Sequence, residues 1–213
     1  MIGNLNNLKI KGRQLLVELV LFFAIISVAF FVVLNISSLF IIPTAGNIDG
    51  VTIKHVLADY LHLLGYLQNP FTGGLKFRYI DMSVAGRHHF ADVKHLFLLN
   101  NAVMLISVPL TYWLLKQEKR NKQLWKLLVP LQIWLTVFPV LAVTLGLNFE
   151  PFFIKFHQIV FNNQDWIFDP LTDPIINVLT ESVFIELAAM ACMLIELMFF
   201  VAYRISKCSI IKS

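Results

Sequence analysis

The sequence predicts an all-α membrane protein: four transmembrane helices with a small extracytoplasmic cap, made of an amphipathic helix plus short strands. Of its 213 residues, 58% are apolar and only 14% are charged, and the mean hydropathy is +0.73. A soluble chain of this length could not bury so much apolar surface. Four apolar runs also reach the roughly 20 residues that a helix needs to cross a bilayer, and basic residues gather beside them.

The lengths of the apolar runs predict the spans. The four candidates are Leu15–Ile42, Leu96–Leu115, Leu127–Leu147 and Val183–Tyr203. The first run is longer than a hydrocarbon core of about 30 Å requires, so its helix must tilt or extend beyond the membrane. We expect one integral membrane domain over residues 1–213, from which two longer connections, 43–95 and 148–182, leave the bilayer.

The positions of the basic residues predict the orientation. Most of them lie in three short segments on one side of a four-span arrangement. These residues are Lys9, Lys11, Arg13, Lys116, Lys119, Arg120, Lys122, Lys126, Arg204, Lys207 and Lys212. Because basic loops favour the cytoplasm, we expect a multi-pass protein of the cell membrane with both termini cytoplasmic and loops 43–95 and 148–182 outside. These charges flank apolar spans without interleaved aromatic residues, so no nucleic-acid partner is predicted.

The first outer loop is predicted to contain a helix and a strand. Apolar residues recur at helical spacing over 52–67, which is typical of an amphipathic helix at a membrane surface. His55, Asp59 and His62 share its other face, either as a metal site or proton relay or, in the interpretation that we favour, as a solvated surface. The stretch 75–80, LKFRYI, alternates apolar and polar residues and predicts a short strand.

Two polar passages interrupt the apolar sequence on the same outer side, at Arg87–His95 and Phe156–Asp173. All six histidines of the chain lie on this side. In the first passage His89 and Asp92 are three residues apart on a predicted helix and therefore share a face. The second passage places His157 ahead of a cluster of aspartates. We expect the two loops to meet at one membrane surface and to form a reaction site.

Histidine suits such a site, because an ordinary pKa of about 6.5 allows the ring to accept or donate a proton near neutral pH. We predict His89 and His157 as the catalytic residues. A neighbouring carboxylate can orient each ring, and aromatic side chains can shield a site at the headgroup level. The supporting residues predicted are Asp92, Asp169, Asp173, Trp166 and Asn162.

Other interpretations of these residues stay open. His157 could be an interfacial residue bound within its own loop, and Asp169 and Asp173 could be turn or cap residues, since each precedes a proline. A metal site is conceivable, with His88, His89, Asp92 and His157 as ligands. No HExxH motif or paired-cysteine spacing supports it, so we predict no metal and no soluble cofactor. The alternative class is a non-enzymatic sensor or assembly factor with a pH-responsive histidine cluster.

The two passages resemble those of a known family. The chain reads H-x-x-D-V-K ahead of the second span, then F-H-x-x-x-F-x-N and W-x-F-D-P-x-T-D-P-I-I before the fourth. This pattern is similar to that of the lipoprotein intramolecular transacylase family of Gram-positive bacteria. The resemblance covers the whole chain, with four spans, a long first outer loop and a shorter second one.

The resemblance implies an activity. The family moves an acyl chain from the 2-position of the diacylglyceryl group to the α-amino group of a lipoprotein's amino-terminal cysteine, which gives the lyso-form. Its two catalytic histidines correspond to His89 and His157. The implied partners are diacylglyceryl-modified lipoproteins and membrane lipid, with no soluble cofactor. The pattern leaves open the oligomeric state, the choice of base, and the roles of Ser83, His88, Glu181 and Glu186.

Overall fold

The fold is all-helical in the part of the chain that the structure, a computed structural model, describes: residues 2–211, with side chains over 11–209. Its α-helices are α1 (Ile2–Ile36), α2 (Ile53–Gln68), α3 (Val84–Arg120), α4 (Leu128–Leu147), α5 (Phe149–Val160) and α6 (Glu181–Ile211). Short 3-10 turns occupy Ser37–Leu39, Leu124–Leu127 and Pro174–Asn177. The all-α class is confirmed. The side chains of Lys9 and Lys212, two of the flanking basic residues, lie outside the described set.

Within the described residues, four helices are long and apolar enough to cross a membrane, as predicted. They contain the segments Lys11–Leu39, Val84–Arg120, Leu124–Leu147 and Glu181–Ser209. At about 1.5 Å per residue, the 37 residues of α3 exceed a hydrocarbon core of about 30 Å. One end of α3 can therefore lie outside the bilayer while the rest spans it. Where each span enters and leaves the membrane stays a prediction.

The chain divides into two compact units. Unit 1 comprises Met1–Phe30, Ala102–Ala142 and Cys192–Ser213. Its core includes four aromatic rings whose centroids lie 4.7–6.3 Å apart, those of Phe22, Trp134, Phe138 and Phe199. An ion pair of 2.8 Å between Arg13 and Glu118 joins α1 to α3 within this unit.

Unit 2 comprises Phe31–Asn101 and Val143–Ala191 and contains every histidine of the chain. Helix α2 supplies much of its core, through side chains at most 4% exposed at Val56, Tyr60, Leu63 and Leu67. The amphipathic helix predicted over 52–67 is thus confirmed, and Thr52 caps its first turn.

The strand predicted over 75–80 is wrong, and no strand occurs among residues 2–211. The backbone N–H groups of residues 78–80 instead donate to the carboxylate of Asp59 at 2.8–2.9 Å. These donors are therefore satisfied without a neighbouring strand. Leu75 and Phe77 are buried, which explains the alternating pattern. Asp59 is only 2% exposed, so its expected place on a solvated face is also wrong.

Asp173 determines where α3 begins. Its Oδ1 accepts a hydrogen bond from the N–H of Ser83 at 2.8 Å. The Ser83 hydroxyl in turn accepts from the N–H of Gly86 at 2.9 Å, as a helix N-cap does. A Cβ at position 86 would collide with the Asp173 carboxylate, so a larger residue there would displace this carboxylate from the N–H of Ser83. Asp173, which is 2% exposed, thus holds the first turn of the helix that carries His89.

Candidate active site

His89 and His157 lie on two helices of unit 2. His89 is in the second turn of α3, and His157 is in the last turn of α5. The position of His157 differs from the sequence analysis, which placed it in a loop. Apolar side chains recur every three or four positions from Phe149 to Val160, and Glu150 in the first turn suits the positive end of a helix.

The two imidazole rings are close together and buried. Their centroids are 5.8 Å apart, with planes inclined at 37°, and His89 and His157 are each 8% exposed. The two polar passages therefore meet, as expected from the sequence. The catalytic roles of the two rings stay a prediction.

Aromatic side chains surround both rings. Phe161 and Phe168 lie edge-on to the ring on α3, at centroid distances of 5.0 and 5.4 Å. Phe153 and Trp166 pack beside the ring on α5, at 4.1 and 5.0 Å. These walls give the histidines an apolar environment in which their charged forms are disfavoured.

A hydrogen bond determines the tautomer of His157. Its Nδ1 lies 2.7 Å from the backbone carbonyl oxygen of Phe153. A carbonyl oxygen can only accept, so Nδ1 carries the proton and the neutral ring presents a free lone pair on Nε2. In His89, by contrast, Nδ1 is buried and has no hydrogen-bond partner among the described residues. His157 is therefore the ring prepared to accept a proton.

Burial lowers the pKa of His157 from its ordinary value of 6.5, and the hydrogen bond to the Phe153 carbonyl opposes part of this shift. The ring is consequently neutral near pH 7, which is the form that a general base needs. Two imidazolium ions 5.8 Å apart would also repel each other, so protonation of one ring disfavours protonation of the other. The pair is suited to hold one proton at a time.

Asn163 connects α3 to the segment that follows α5. Its Nδ2 donates to Asp92 Oδ2 at 3.0 Å, one turn along α3 from His89. Its Oδ1 accepts from the N–H of Asp165 at 3.0 Å, and its backbone carbonyl accepts from the indole Nε1 of Trp166 at 3.1 Å. The neighbouring Asn162 was the predicted supporting residue, and Asn163 was not. The signal that could have found it is the motif F-H-x-x-x-F-x-N, whose fixed asparagine is residue 163.

Two of the predicted supporting residues lie at the pair. Trp166 packs against His157. Asp92 lies one turn from His89 and accepts from Asn163, but no hydrogen bond joins Asp92 to His89 in the described part of the chain. Asp92 therefore acts on the ring only through space.

The structure does not bring the other three supporting residues to the pair. Asp169 is exposed and accepts from the N–H of Leu171, as a turn residue does. Asp173 serves the start of α3. Asn162 is exposed, and its side chain makes no hydrogen bond with any described residue.

The histidines of α2 lie apart from any such arrangement. His55 stacks on Tyr79 at 3.9 Å between centroids, and His62 is exposed. Among residues 11–209, no group of three or more His, Cys, Asp or Glu side chains is positioned to hold a metal ion.

The fold and the site together define a class: an integral membrane protein with a buried histidine pair enclosed by aromatic rings. Its sequence matches the family described as "Lipoprotein intramolecular transacylase Lit" over residues 15–184. The chain belongs to this family and is an acyltransferase, as the resemblance of the two passages implied.

Solved structures agree with this assignment. The structure of the membrane integral lipoprotein intramolecular transacylase from Bacillus cereus aligns with a TM-score of 0.84 at 27% identity, covering 99% of this chain and 98% of that one. Two variants of that protein, each with one histidine substituted, align with TM-scores of 0.77 at 26% identity. They cover 98% and 97% of this chain, and 97% and 98% of their own. A search of curated proteins found no match.

Proposed function

We propose that this protein moves an acyl chain from the 2-position of the diacylglyceryl group to the α-amino group of the amino-terminal cysteine of bacterial lipoproteins. The reaction uses acid–base catalysis at His89 and His157. The supporting observation is the convergence of the two buried rings, 5.8 Å between centroids, in a member of the transacylase family. A sensor or assembly factor, the alternative considered from the sequence, does not require this convergence.

The reaction moves one proton. The amino nitrogen attacks the ester carbonyl, a C–N bond forms, and the nitrogen loses a proton. The C–O bond at the 2-position breaks, and the glycerol oxygen gains a proton. Nε2 of His157 accepts the first proton, because Nδ1 is already bonded to Phe153. The histidine pair then delivers a proton to the glycerol oxygen, so the enzyme is unchanged after each turnover.

Orientation is the other requirement of the reaction. Donor ester and acceptor amine belong to one lipoprotein, so neither ATP nor a soluble cofactor is needed. The enzyme has to hold the two groups in attack geometry and to stabilise the oxyanion that forms between them. We assign the second task to His89, whose buried Nδ1 has no hydrogen-bond partner among the described residues, so no other group competes for it once substrate has entered the site.

Apolar surface beside the pair accommodates the acyl chains. Phe161, Phe168 and Trp166 contact the histidines directly. A separate cavity of about 170 Å³ lies in unit 2. Its lining consists of Phe149, Glu150, Phe153, Ile176, Leu179, Glu181 and Phe184. Phe153 also contacts His157, so the part of a chain that enters this cavity lies near the proton-accepting ring.

The remaining predicted residues act indirectly in this proposal. Asp92 favours a protonated histidine through its charge. Asp173 supports catalysis by seating the first turn of α3, and Asp169 stabilises its own turn. Asn162 has no assigned partner in the described structure and takes no part in the steps above.

We infer from the lysine and arginine distribution that both termini are cytoplasmic and the site is extracytoplasmic. In a chain whose Cys192 and Cys208 are replaced by serine, Gly73→Cys should react with an impermeant maleimide in intact cells. Asn121→Cys should react only after permeabilisation. The reverse pattern would place the site in the cytoplasm.

Isotope labelling tests the direction of transfer. Because an intramolecular transfer leaves the mass unchanged, the substrate is a diacylglyceryl-lipopeptide with a labelled chain at the 2-position only. We expect fragmentation mass spectrometry to find the label on the amino-terminal nitrogen after incubation with membranes that contain the protein. Membranes without it should leave the label on glycerol. Label released as free fatty acid, or a nitrogen acylated by the 1-position chain, would contradict the proposal.

A further inference from the structure

Asn163 belongs to a continuous set of contacts that connects His89 and His157 through Asp92 and Trp166. Asp92 lies three residues beyond His89 on α3 and accepts from the Asn163 side chain at 3.0 Å. The Asn163 carbonyl accepts from the Trp166 indole at 3.1 Å. The indole packs on His157 at 5.0 Å, and His157 lies 5.8 Å from His89. Each element that carries a catalytic histidine is thus connected to Asn163.

We propose that Asn163 is a positioning residue that sets the spacing of the two rings, by binding α3 through its side chain and Trp166 through its carbonyl. This inference rests on the proposed function, because the spacing matters to turnover only if the pair moves protons. Asn163 is exposed, and its recorded hydrogen bonds go to Asp92, Asp165 and Trp166 rather than to either imidazole. It therefore acts through Asp92 and Trp166.

The chemistry of the side chain explains why an amide is needed. Nδ2 donates to the carboxylate of Asp92, while Oδ1 accepts from the N–H of Asp165 and thereby stabilises the turn. Alanine removes both bonds. Aspartate keeps the acceptor but places a second carboxylate against Asp92, where two like charges repel.

Other polar contacts cannot replace this connection. His88 Nδ1 and Asp165 Oδ2 also bridge α3 and the turn, but at 3.6 Å and with side chains 67% and 31% exposed. Exposed pairs of this kind contribute little. The Asn163–Asp92 hydrogen bond is also exposed, but at 3.0 Å it is the shorter of these two polar links between α3 and residues 161–168.

The first experiment compares kcat/KM of two variants in membranes at matched expression. Asn163→Ala should lower kcat/KM about tenfold, the size expected for the loss of a hydrogen bond to a charged group. The matched control is Gln164→Ala, which shortens the next amide of the same turn. The Gln164 side chain is exposed and makes no hydrogen bond with any described residue, so its variant should stay within twofold of wild type. Equal losses in both variants would overturn the proposal.

Exchanging donor and acceptor gives a sharper test. Asn163→Asp alone should lose more activity than Asn163→Ala, because the two carboxylates repel. Combined with Asp92→Asn, it restores an amide–carboxylate bond in the opposite sense. We expect the double variant to recover to within about threefold of wild type, since residues in direct contact are strongly non-additive. A double variant no better than Asn163→Asp would contradict a direct link.

A pH profile separates positioning from a general loss of folding. Trp166 covers His157, and burial lowers the pKa of that ring. Asn163→Ala should admit water to His157 and raise the pKa of that ring towards 6.5. The pH at which kcat/KM declines because His157 is protonated should therefore rise, whereas a variant that merely folds less well should keep this pH unchanged. The other titratable groups around the pair are His88, Asp92 and Asp165. Gln164→Ala changes none of them and is therefore the control for the pH profile. An unshifted limb would count against the positioning role.

Hydrogen exchange in the purified full-length protein distinguishes failure of this inference from failure of the proposed function. Asn163→Ala should speed exchange over residues 161–168 and leave α2 unchanged, and the Asn163→Asp/Asp92→Asn pair should restore slow exchange. If wild type shows no acyl transfer but exchange behaves in this way, the proposed function fails and the link stands. Unchanged exchange over residues 161–168 would overturn the link even in an active enzyme.

Discussion

On α2, His55, Asp59 and His62 follow one another at steps of four and three residues, much as His89 and Asp92 do on α3. Both helices belong to unit 2, and both sets share a helical face. On α2 the carboxylate of Asp59 is buried and accepts hydrogen bonds from three backbone N–H groups. Of the two histidines, His55 stacks on Tyr79 and His62 is exposed to solvent. On α3 the histidine is buried and faces a second histidine.

The difference lies in what packs opposite each face. The irregular segment 78–80 packs against α2 and has no neighbouring strand to accept its backbone N–H groups. Asp59 of α2 accepts them instead and is therefore a structural residue. His157 of α5, together with Phe161 and Phe168, covers α3 at His89, so the His89 ring is isolated from water beside another imidazole. Spacing along one helix places groups on a face, but the opposing element determines whether that face supports structure or chemistry.

The largest expected effect separates the two regions by activity. His89→Ala or His157→Ala should each lower conversion of diacylglyceryl-lipoprotein by about 10²–10⁴-fold, and the double variant should lose little more, because residues that act as a unit are non-additive. His62→Ala, the control from α2, should stay near wild type. Membranes carrying each variant at matched expression provide the measurement. Near-normal conversion by His157→Ala would remove the catalytic role of the pair.

Asp59 should give the opposite pattern, with a loss of stability and little loss of turnover. Asp59→Ala leaves three backbone donors without their acceptor, and one unsatisfied buried group alone costs about 1–3 kcal/mol. We expect the Tm of Asp59→Ala in detergent to be clearly lower than that of wild type. The Tm of Asp59→Asn should lie between the two, because the amide keeps one accepting oxygen. Below the Tm, turnover per folded molecule should match wild type. An unchanged Tm with lost turnover would give α2 a direct part in the reaction.

The smallest effect concerns pH. Since burial lowers the pKa of His157 from 6.5, the ring stays neutral as the pH falls through 6.5, and its own effect on kcat/KM should begin only below that value. The α-amino group of the lipopeptide, with an ordinary pKa of about 7.7–8.0, gives a separate decline at higher pH, because only the neutral amine attacks. A solvated histidine of the α2 type would give a limb near 6.5. The measurement is initial rate at subsaturating lipopeptide from pH 5 to 8. A second decline at or above pH 6.5, beyond the one that the amino group causes, would show that the base is not a desolvated histidine.

Composition and periodicity were sufficient for the helices that cross or line the core. The four apolar helices follow from run length, and α2 follows from the recurrence of Val56, Tyr60, Leu64 and Leu67. The strand at 75–80 failed because its donors bond to a side chain 19–21 residues earlier in the chain. Such a non-local acceptor leaves no trace in a local alternation pattern.

The site was predictable to the level of its two rings. His89 and His157 could be chosen by residue type and position, whereas their supporting residues depend on turn geometry. Asn162 and Asn163 are chemically identical neighbours, and the turn that closes on Asp165 directs the second towards α3. The motif F-H-x-x-x-F-x-N marks Asn163 but does not say which contacts it makes. The same holds for Asp173, which precedes a proline as a turn residue would but binds Ser83, 90 residues away.

That long separation between Ser83 and Asp173 affects biogenesis. Chains grow from the amino terminus at roughly 5–20 residues per second, so residue 173 leaves the ribosome roughly 5–20 s after residue 83. During this interval α3 can already enter the bilayer, but the carboxylate that fixes its first turn does not yet exist. His89 therefore acquires its final position only when the chain is nearly complete, and a truncated nascent chain has no assembled site with which to acylate a lipoprotein.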